Sequence, residues 1–297
     1  MSSARHIPPR GPLVSAAVAI ALAAVLVPIA GVVSTHATVS IEAVDKSRLR
    51  VCADPRNLPF SDDKGEGFEN KIAELLAKKL NRPLTYYWWP QMVRYVLNTI
   101  AAKKCDLIMG INANSDVVLN TNPYYRTTYV MVYLKNSGIK AQSLDDPEIK
   151  EKKLSLGTVA GTPPGFLLVE YGLLKQLYPY PLHYDPYAMS VGEAMIVDLK
   201  NGVTNIALMS SPLAGYWAKR LGVDVAMIPL KSINRDTGRM DFYITMGVRL
   251  GENDWKRLIN KVIRENQDEI NRILVDYGVL LLKMRGEPEP LTVVKSP

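Results

Sequence analysis

Apolar positions in the first half of the chain follow two different spacings in turn. Apolar runs of strand length predict β-strands at Leu49–Ala53, Leu84–Trp89, Leu107–Met109 and Tyr129–Leu134. Between them, apolar residues recur every three or four positions, which predicts one helix through Phe68, Ile72, Leu75, Leu76 and Leu80 and another through Val93, Val96, Leu97 and Ile100. Strands that alternate with helices predict a parallel sheet with helices on both faces.

The same alternation restarts in the second half of the chain. It predicts strands at Leu154–Val159, Pro181–Tyr184, Ile206–Met209 and Val225–Ile228, and helices after Gly161–Pro164, at Val191–Leu199 and at Leu213–Leu221. A last strand, Tyr243–Val248, precedes a long helical region. The sequence therefore predicts two α/β lobes. Residues 38–133 begin the first lobe, 134–240 form the second, and 241–297 return to the first and end in helices.

The first 37 residues have the features of a secretory signal peptide. Arg5 and Arg10 precede an uncharged apolar stretch, Leu13–Val33, and the small residues Thr35 and Ala37 follow it, as a cleavage site requires. The absence of an Arg-Arg pair favours Sec-type export to the periplasm. A retained membrane anchor is the alternative, because the stretch is long enough to cross a bilayer.

Composition and charge narrow the function classes. The chain is 47% hydrophobic and 22% charged, as globular proteins are. Removal of the leader, which holds two arginines and no acid, lowers the net charge from +7 to +5. This excess of positive charge indicates either an acidic partner surface or only a contribution to solubility. The chain has no dense Lys/Arg run of the kind that predicts nucleic-acid binding. No membrane association is expected once the leader is cleaved.

The two cysteines are predicted to form a disulfide. Cys52 lies in the first predicted strand and Cys105 directly precedes the third. These strands are often neighbours in an open sheet, about 4.7–4.9 Å apart, which is within reach of disulfide geometry. Export to an oxidising compartment permits the bond. Two buried thiols are the alternative.

Ligands of such sheets bind beyond the carboxyl ends of the strands, so that edge of each lobe should face the cleft between the lobes. The rule selects the segments Asp54–Phe60, Trp88–Trp89, Gly110–Asn112, Ala160–Pro164 and Ser210–Pro212. Polar and aromatic side chains in or beside them are the candidate ligand or partner contacts: Asp54, Asn57, Phe60, Trp88, Trp89, Asn112, Tyr124, Tyr125, Thr162, Ser210 and Ser211.

Two of these groups allow a structural interpretation as well. Thr162 before Pro163 is a good helix N-cap, and a helix N-terminus in a cleft can bind an anion, but Thr162 could equally well serve only as the cap. The aromatic residues offer stacking surfaces to a flat ligand or a protein partner. The alternative for them is core packing, which is less favoured for Trp88 and Trp89 because adjacent strand residues face opposite ways.

Catalysis has little support in the sequence. The chain has three histidines, two of them in the leader, and no His/Cys spacing that fits zinc; no metal or cofactor is expected. No nucleophile-elbow, zincin or P-loop motif occurs. Glu66, Glu69 and Asp54 could meet near the cleft, but acids at the start of a helix commonly complement its dipole.

The motifs together resemble those of a known family. Cys105–Gly110, Pro123–Tyr125, Gly157–Thr162 and Gly247–Arg249 resemble segments of family-3-type solute-binding proteins, the amino-acid receptors of ABC transporters, which have the type II periplasmic-binding fold. More specific segments resemble the MxaJ/XoxJ family: Arg50–Pro55, Asn57–Ser61, Gly65–Ala73, Trp88–Gln91 and Tyr124–Val130. The resemblance implies a place in a methanol-oxidation system, beside a periplasmic PQQ-dependent methanol dehydrogenase and its cytochrome c.

Departures from the amino-acid receptors shape the functional expectation. Those receptors hold the ligand carboxylate with an Arg between the Gly of the third strand and the Pro-Tyr motif, but residues 111–122 here contain none. They bind the ammonium group with an Asp where this chain has Ser210. A zwitterion would lose both contacts.

The resemblance therefore implies a non-enzymatic accessory protein that binds a PQQ-dependent dehydrogenase and assists its maturation or activation. The alternatives are an ABC-transporter binding protein for a small solute and, third, an enzyme on the same scaffold, similar to cyclohexadienyl dehydratase.

Overall fold

The computed structural model describes residues 43–181, 189–233 and 238–293. The predicted leader lies outside them. Within the described part, no helix has both the length and the apolar composition that a bilayer crossing requires.

The elements follow the predicted alternation. In chain order up to the middle they are β1 (Leu49–Ala53), β2 (Arg56–Asn57), β3 (Ser61–Asp62), α1 (Phe68–Leu80), β4 (Leu84–Trp88), α2 (Tyr95–Asn98), β5 (Leu107–Asn112), β6 (Leu119–Asn120) and β7 (Tyr125–Leu134). The rest are α3 (Pro147–Glu151), β8 (Leu156–Val159), α4 (Pro163–Glu170), β9 (Leu177–Tyr180), α5 (Val191–Lys200), β10 (Ile206–Ser210), α6 (Ser211–Arg220), β11 (Val225–Pro229), β12 (Asp241–Val248), α7 (Asn253–Glu265) and α8 (Gln267–Asp276).

Hydrogen bonding orders the strands β4-β1-β5-β12-β7-β10-β8-β9. β1, β4 and β5 are parallel, as are β8, β9 and β10, whereas β12 and β7 run antiparallel to their neighbours and β11 pairs with β7 alone. We call the group around β1 the first lobe and the group of β8–β11 with α3–α6 the second lobe. β7 pairs with β12 at Tyr125–Thr128 and with β10 from Tyr129 onward. The exact division of the chain between the lobes stays a prediction.

Helix α1 shows how the sequence forms these elements. Phe68, Ile72 and Leu76 recur on one face and are fully buried in the first-lobe core. The helix begins after Gly67, where any side chain would collide with the backbone: a Cβ there would lie 2.2 Å from the carbonyl oxygen of Phe60. Only glycine tolerates this close approach.

A buried ionic network fixes the base of the first lobe. The carboxylate of Asp106, directly before β5, accepts hydrogen bonds from Arg50 of β1 and from Arg249, which follows β12. The carbonyl oxygen of Asp106 accepts a hydrogen bond of 2.8 Å from the indole of Trp255 in α7. Because the buried carboxylate has two guanidinium partners, its charge is compensated, and three elements are tied to β5.

The disulfide prediction is confirmed. Cys52 and Cys105 are bonded, with their Cα atoms 5.5 Å apart. β1 and β5 are adjacent parallel strands, in which Cys52 lies opposite Ile108. The neighbouring-strand argument from the sequence is therefore the correct one.

Two predicted elements differ from the structure. The helix expected through Val93 and Ile100 is a single turn, α2, which begins after Arg94 in the left-handed conformation, and Val93 is exposed. The strand expected at Pro181–Tyr184 lies earlier, as β9; Pro181 follows it, and the remaining predicted residues fall outside the described part. β9 is an edge strand, which tolerates the proline at its third position.

Candidate functional site

Two of the predicted loops meet at the carboxyl end of the first-lobe strands. The carboxylate of Asp54 accepts hydrogen bonds from the backbone amides of Arg56 (2.9 Å) and Gln91 (2.6 Å). The side-chain amide of Asn57 donates to the side-chain oxygen of Gln91 at 2.8 Å. Asp54 and Asn57 therefore join the loop after β1 to the turn after β4.

The two tryptophans lie on opposite faces of their strand end. Trp88 stacks on Tyr86 with ring centroids 4.5 Å apart, and Trp89 stacks on Tyr87 at 6.3 Å. Trp89 is 37% exposed, so it can contact a partner, whereas Trp88 is half-buried.

The two tyrosines pack in the core. Tyr124 and Tyr125 are 0% and 2% exposed, so in this conformation they offer no surface to a ligand or partner, contrary to their selection as cleft contacts. Tyr125 contacts Phe68 edge to face, with ring centroids 6.1 Å apart. Half-buried Phe60 also contacts the Phe68 ring, with centroids 5.3 Å apart. The reason is position: Tyr125 begins β7, which lies between two other strands.

Tyr124 bonds a buried carboxyl group, that of Glu69 in the first turn of α1. The Tyr124 hydroxyl donates to Oε1 of Glu69 at 3.3 Å and accepts from the amide of Gly110 at 3.2 Å. Burial raises the pKa of Glu69 to about 7, and the hydrogen bond from Tyr124 opposes this shift. Glu69 is thus a buried titratable side chain instead of the exposed dipole partner that its position suggested.

The helix start at Thr162 is unsuited to anion binding. Thr162 occupies the N-cap position of α4, but its hydroxyl donates to the carbonyl oxygen of Val159 at 2.6 Å. The first two helical residues, Pro163 and Pro164, have no N–H group, and the amide of Gly165 donates to the Thr162 carbonyl at 2.9 Å. A prolyl N-terminus lacks the free donors by which helix ends bind anions.

Of the two serines at the end of β10, Ser211 bonds the C-terminal part of the chain. Ser210 is half-buried, whereas Ser211 is fully buried; its hydroxyl accepts from the amide of Leu280 at 2.7 Å and donates to the Leu280 carbonyl at 3.2 Å. Nearby, a Cβ on Gly215 would lie 1.8 Å from the carbonyl oxygen of Gly278. Helix α6 therefore packs on this segment through direct backbone contact.

Residues 279–282, which follow α8, join the cores of the two lobes. Val279 and Leu281 are buried in the first-lobe core, whereas Leu280 packs against the core beneath α5 and α6. Opening the lobes would separate these side chains from one core or the other. The remaining predicted residue, Asn112, is exposed beside Tyr243 at a cavity of only about 60 Å³.

A larger cavity, of about 400 Å³, lies between the lobes. Its walls come from the β2–β3 hairpin, the start of α5 and one residue of α6, with the side chains of Arg56, Asp62, Lys64, Ser190, Glu193 and Trp217. The indole nitrogen of Trp217 is buried and has no hydrogen-bond partner among the described residues. A cavity of this size suits a small ligand.

Sequence reasoning missed most of this cavity. One signal in the sequence marked the helix start at this cavity, because Ser190 and Glu193 have capping-box spacing. In the structure the Ser190 hydroxyl accepts a hydrogen bond from the Glu193 amide at 3.2 Å. Trp217 gave no signal, because an aromatic residue on an apolar helix face is usually core. Across the described ranges, no group of three or more metal-ligating side chains is present.

Comparisons with known proteins decide the family. The model of the bacterial extracellular solute-binding proteins, family 3, matches residues 49–278. The crystal structure of the periplasmic binding protein XoxJ from Methylobacterium extorquens AM1 shares 39% identity; the match covers 79% of this chain and 99% of that one, with a TM-score of 0.66. The chain belongs to the MxaJ/XoxJ group of this family.

More distant members agree. The structure of MxaJ from Methlophaga aminisulfidivorans MPT is 24% identical over 79% of this chain and all of that one, with a TM-score of 0.70. Protein MoxJ of Paracoccus denitrificans is 26% identical over 249 residues, which is 80% of this chain and 90% of that protein.

The chain therefore has the two-lobed type II periplasmic-binding fold, and its family is one of extracellular binding proteins. The XoxJ relative is itself named a periplasmic binding protein.

Proposed function

We propose that this MxaJ/XoxJ-type protein is a periplasmic accessory protein that binds a PQQ-dependent methanol or alcohol dehydrogenase and assists its maturation or activation. The observation that carries the proposal is the 39% identity to XoxJ over 99% of that chain. The match covers 79% of this chain and nearly all of XoxJ. In this proposal the leader, residues 1–37, directs Sec-type export, and the cytochrome c of the system is a second candidate partner.

The chemistry of the cleft supports a role other than amino-acid capture. Residues 111–122, which carry the carboxylate-binding Arg in the amino-acid receptors, contain no arginine, and Ser210 replaces the ammonium-binding Asp. Arg126 cannot substitute, because its guanidinium bonds Asp241 and two backbone carbonyl groups. A free amino acid would lose two charge-assisted contacts and would bind weakly.

The tie between the lobes supports the same conclusion. A transport receptor opens and closes on its solute, whereas here Ser211 bonds Leu280 and Gly215 touches Gly278 across the two lobes. These contacts favour one fixed arrangement, which presents a constant surface to a protein partner.

Two binding measurements test the proposal. The mature protein should form a complex with the purified PQQ-dependent methanol dehydrogenase of the same bacterium, in its apo or its PQQ-loaded form, detected by co-elution on size exclusion. Calorimetry against the twenty amino acids should give dissociation constants no tighter than roughly millimolar. Micromolar amino-acid binding without a dehydrogenase complex would instead identify a transport receptor.

A further inference from the structure

An exposed apolar surface lies on the first lobe, in the turn after β4 that Asp54 and Asn57 bond through Gln91. Trp89, Met92, Val93 and Leu97 are 37%, 70%, 87% and 55% exposed. Single exposed apolar residues are ordinary, but four within nine residues form the kind of patch that marks an interaction site. We call these four side chains the 89–97 surface.

Tight turns hold the four side chains together. The amide of Met92 donates to the carbonyl of Pro90 at 2.8 Å, that of Tyr95 to Met92 at 3.0 Å, and that of Asn98 to Arg94 at 3.0 Å. Such short-range bonds keep the backbone of the segment compact, so the four residues stay close together.

The segment is anchored from below by one residue. Tyr95 is 7% exposed and packs in a small core with the Cys52–Cys105 disulfide, Ile108 and Val118. Val96 and Ile100 pack against the same core, whereas Met92, Val93 and Leu97 are exposed. The apolar face that the pattern predicted is therefore divided between this core and the surface.

Exposed cations lie in and just after this segment, and one carboxylate, that of Asp54, bonds the Gln91 amide within it. Between residues 75 and 105 the sequence has six cations, Lys78, Lys79, Arg82, Arg94, Lys103 and Lys104, and no Asp or Glu. Arg94, Lys103 and Lys104 are exposed, and none of them has an ion pair among the described residues. Lys104 lies 5.9 Å from the ring of Tyr87, on which Trp89 stacks, so the charge borders the apolar surface.

An apolar centre with a charged rim is the usual anatomy of a protein interface. We propose that the 89–97 surface is the docking face for the dehydrogenase, and that the matching face of that enzyme is an apolar pocket edged by carboxylates. The inference rests on the proposed function and deepens it, because it assigns the contact to a defined segment of the first lobe. The lysines accelerate association by steering the acidic partner, and the apolar side chains slow dissociation.

Surface charge-insertion variants of the mature protein test the docking face. Val93→Glu and Leu97→Glu should each raise the dissociation constant for the purified dehydrogenase at least about tenfold, because each buries an unpaired charge in the complex. Val169→Glu is the matched control: Val169 lies on α4 of the second lobe and is 56% exposed, as Leu97 is 55%. It should leave the constant within about twofold. All three variants should have the melting temperature of the wild type, since the changed side chains are exposed.

The rim is tested separately. The double variant Lys103→Glu, Lys104→Glu should lower the association rate constant about tenfold at 50 mM salt and far less at 300 mM, because salt screens the attraction.

The outcomes separate this inference from the proposed function. If the wild type binds the dehydrogenase and Val93→Glu and Leu97→Glu bind equally well, the docking face is wrong and the function stands. If the wild type binds neither the apo nor the PQQ-loaded enzyme, both are wrong. A wild-type dimer in light scattering that Val93→Glu makes monomeric would show that a second copy covers the surface. Phosphatidylglycerol vesicles that bind the wild type but not Leu97→Glu, with an unchanged dehydrogenase affinity, would identify a membrane instead.

Discussion

Two pairs of adjacent aromatic residues, Trp88–Trp89 and Tyr124–Tyr125, look alike in the sequence and differ in the structure. The tryptophans end β4, an edge strand of the first lobe, where Trp89 is 37% exposed. The tyrosines precede and begin β7, a central strand, where both are buried. An aromatic residue at a strand end is thus surface or core according to the position of its strand in the sheet, a property of the topology.

The environment reinforces the difference. Tyr125 has Phe68 against its ring and Tyr124 has Glu69 on its hydroxyl, so α1 covers the tyrosines completely. Trp89 has one aromatic neighbour, Tyr87, and a basic border. The tyrosines should therefore determine stability, and Trp89 should determine binding.

The largest expected effect is that of Tyr125→Ala. Removing a buried aromatic ring should lower the free energy of unfolding by about 3–5 kcal/mol. Urea denaturation of the variant and the wild type measures it. The dissociation constant for the dehydrogenase, corrected for the folded fraction, should not change. A loss below about 1 kcal/mol would show that Tyr125 does not pack as the structure has it.

Glu69→Gln should produce a pH-dependent effect next to the tyrosine pair. Glu69 has a pKa of about 7 in the folded protein against an ordinary value of 4.5, so its contribution to stability is fully present below pH 4.5 and lost as pH rises through 7. Relative to Glu69→Gln, the wild type should lose about 3 kcal/mol across this range.

Denaturation at pH 4.5, 6 and 8 measures the effect of Glu69. Glu74→Gln, an exposed change on the same helix that retains Glu69, is the control, and its stability should follow the pH profile of the wild type. Parallel pH profiles for Glu69→Gln and the wild type would contradict the buried, titrating carboxyl group.

The smallest expected change in stability is that of Trp89→Ala. Because Trp89 is partly exposed, the free energy of unfolding should fall by less than about 1 kcal/mol. The dissociation constant for the dehydrogenase should rise about tenfold, as for an interface hot spot. Calorimetry and thermal melting of the same preparation separate the two effects. A large drop in melting temperature with unchanged affinity would reverse the comparison between the two aromatic pairs.

The sequence predicted an element correctly where a local pattern of apolar residues is compatible with only one secondary structure. β1 and α1 have the predicted bounds because a buried run and a 3.6-residue apolar repeat each allow one local structure. It failed at α2, because the repeat through Val93 and Leu97 says nothing about whether a partner surface exists within the same chain. At Thr162 it left a helix cap and an anion site open, and Pro163 and Pro164 remove the N–H donors that the anion site would need.

The sequence by itself determined the alternation of strands and helices, the Cys52–Cys105 pair and the missing clamp residues, because spacing and residue type decide these locally. Only the tertiary structure decided that Tyr124 and Glu69 are buried together, that residues 279–282 join both cores, and that the 89–97 surface is exposed. Burial depends on which strands and helices become neighbours, and those neighbours come from distant parts of the chain.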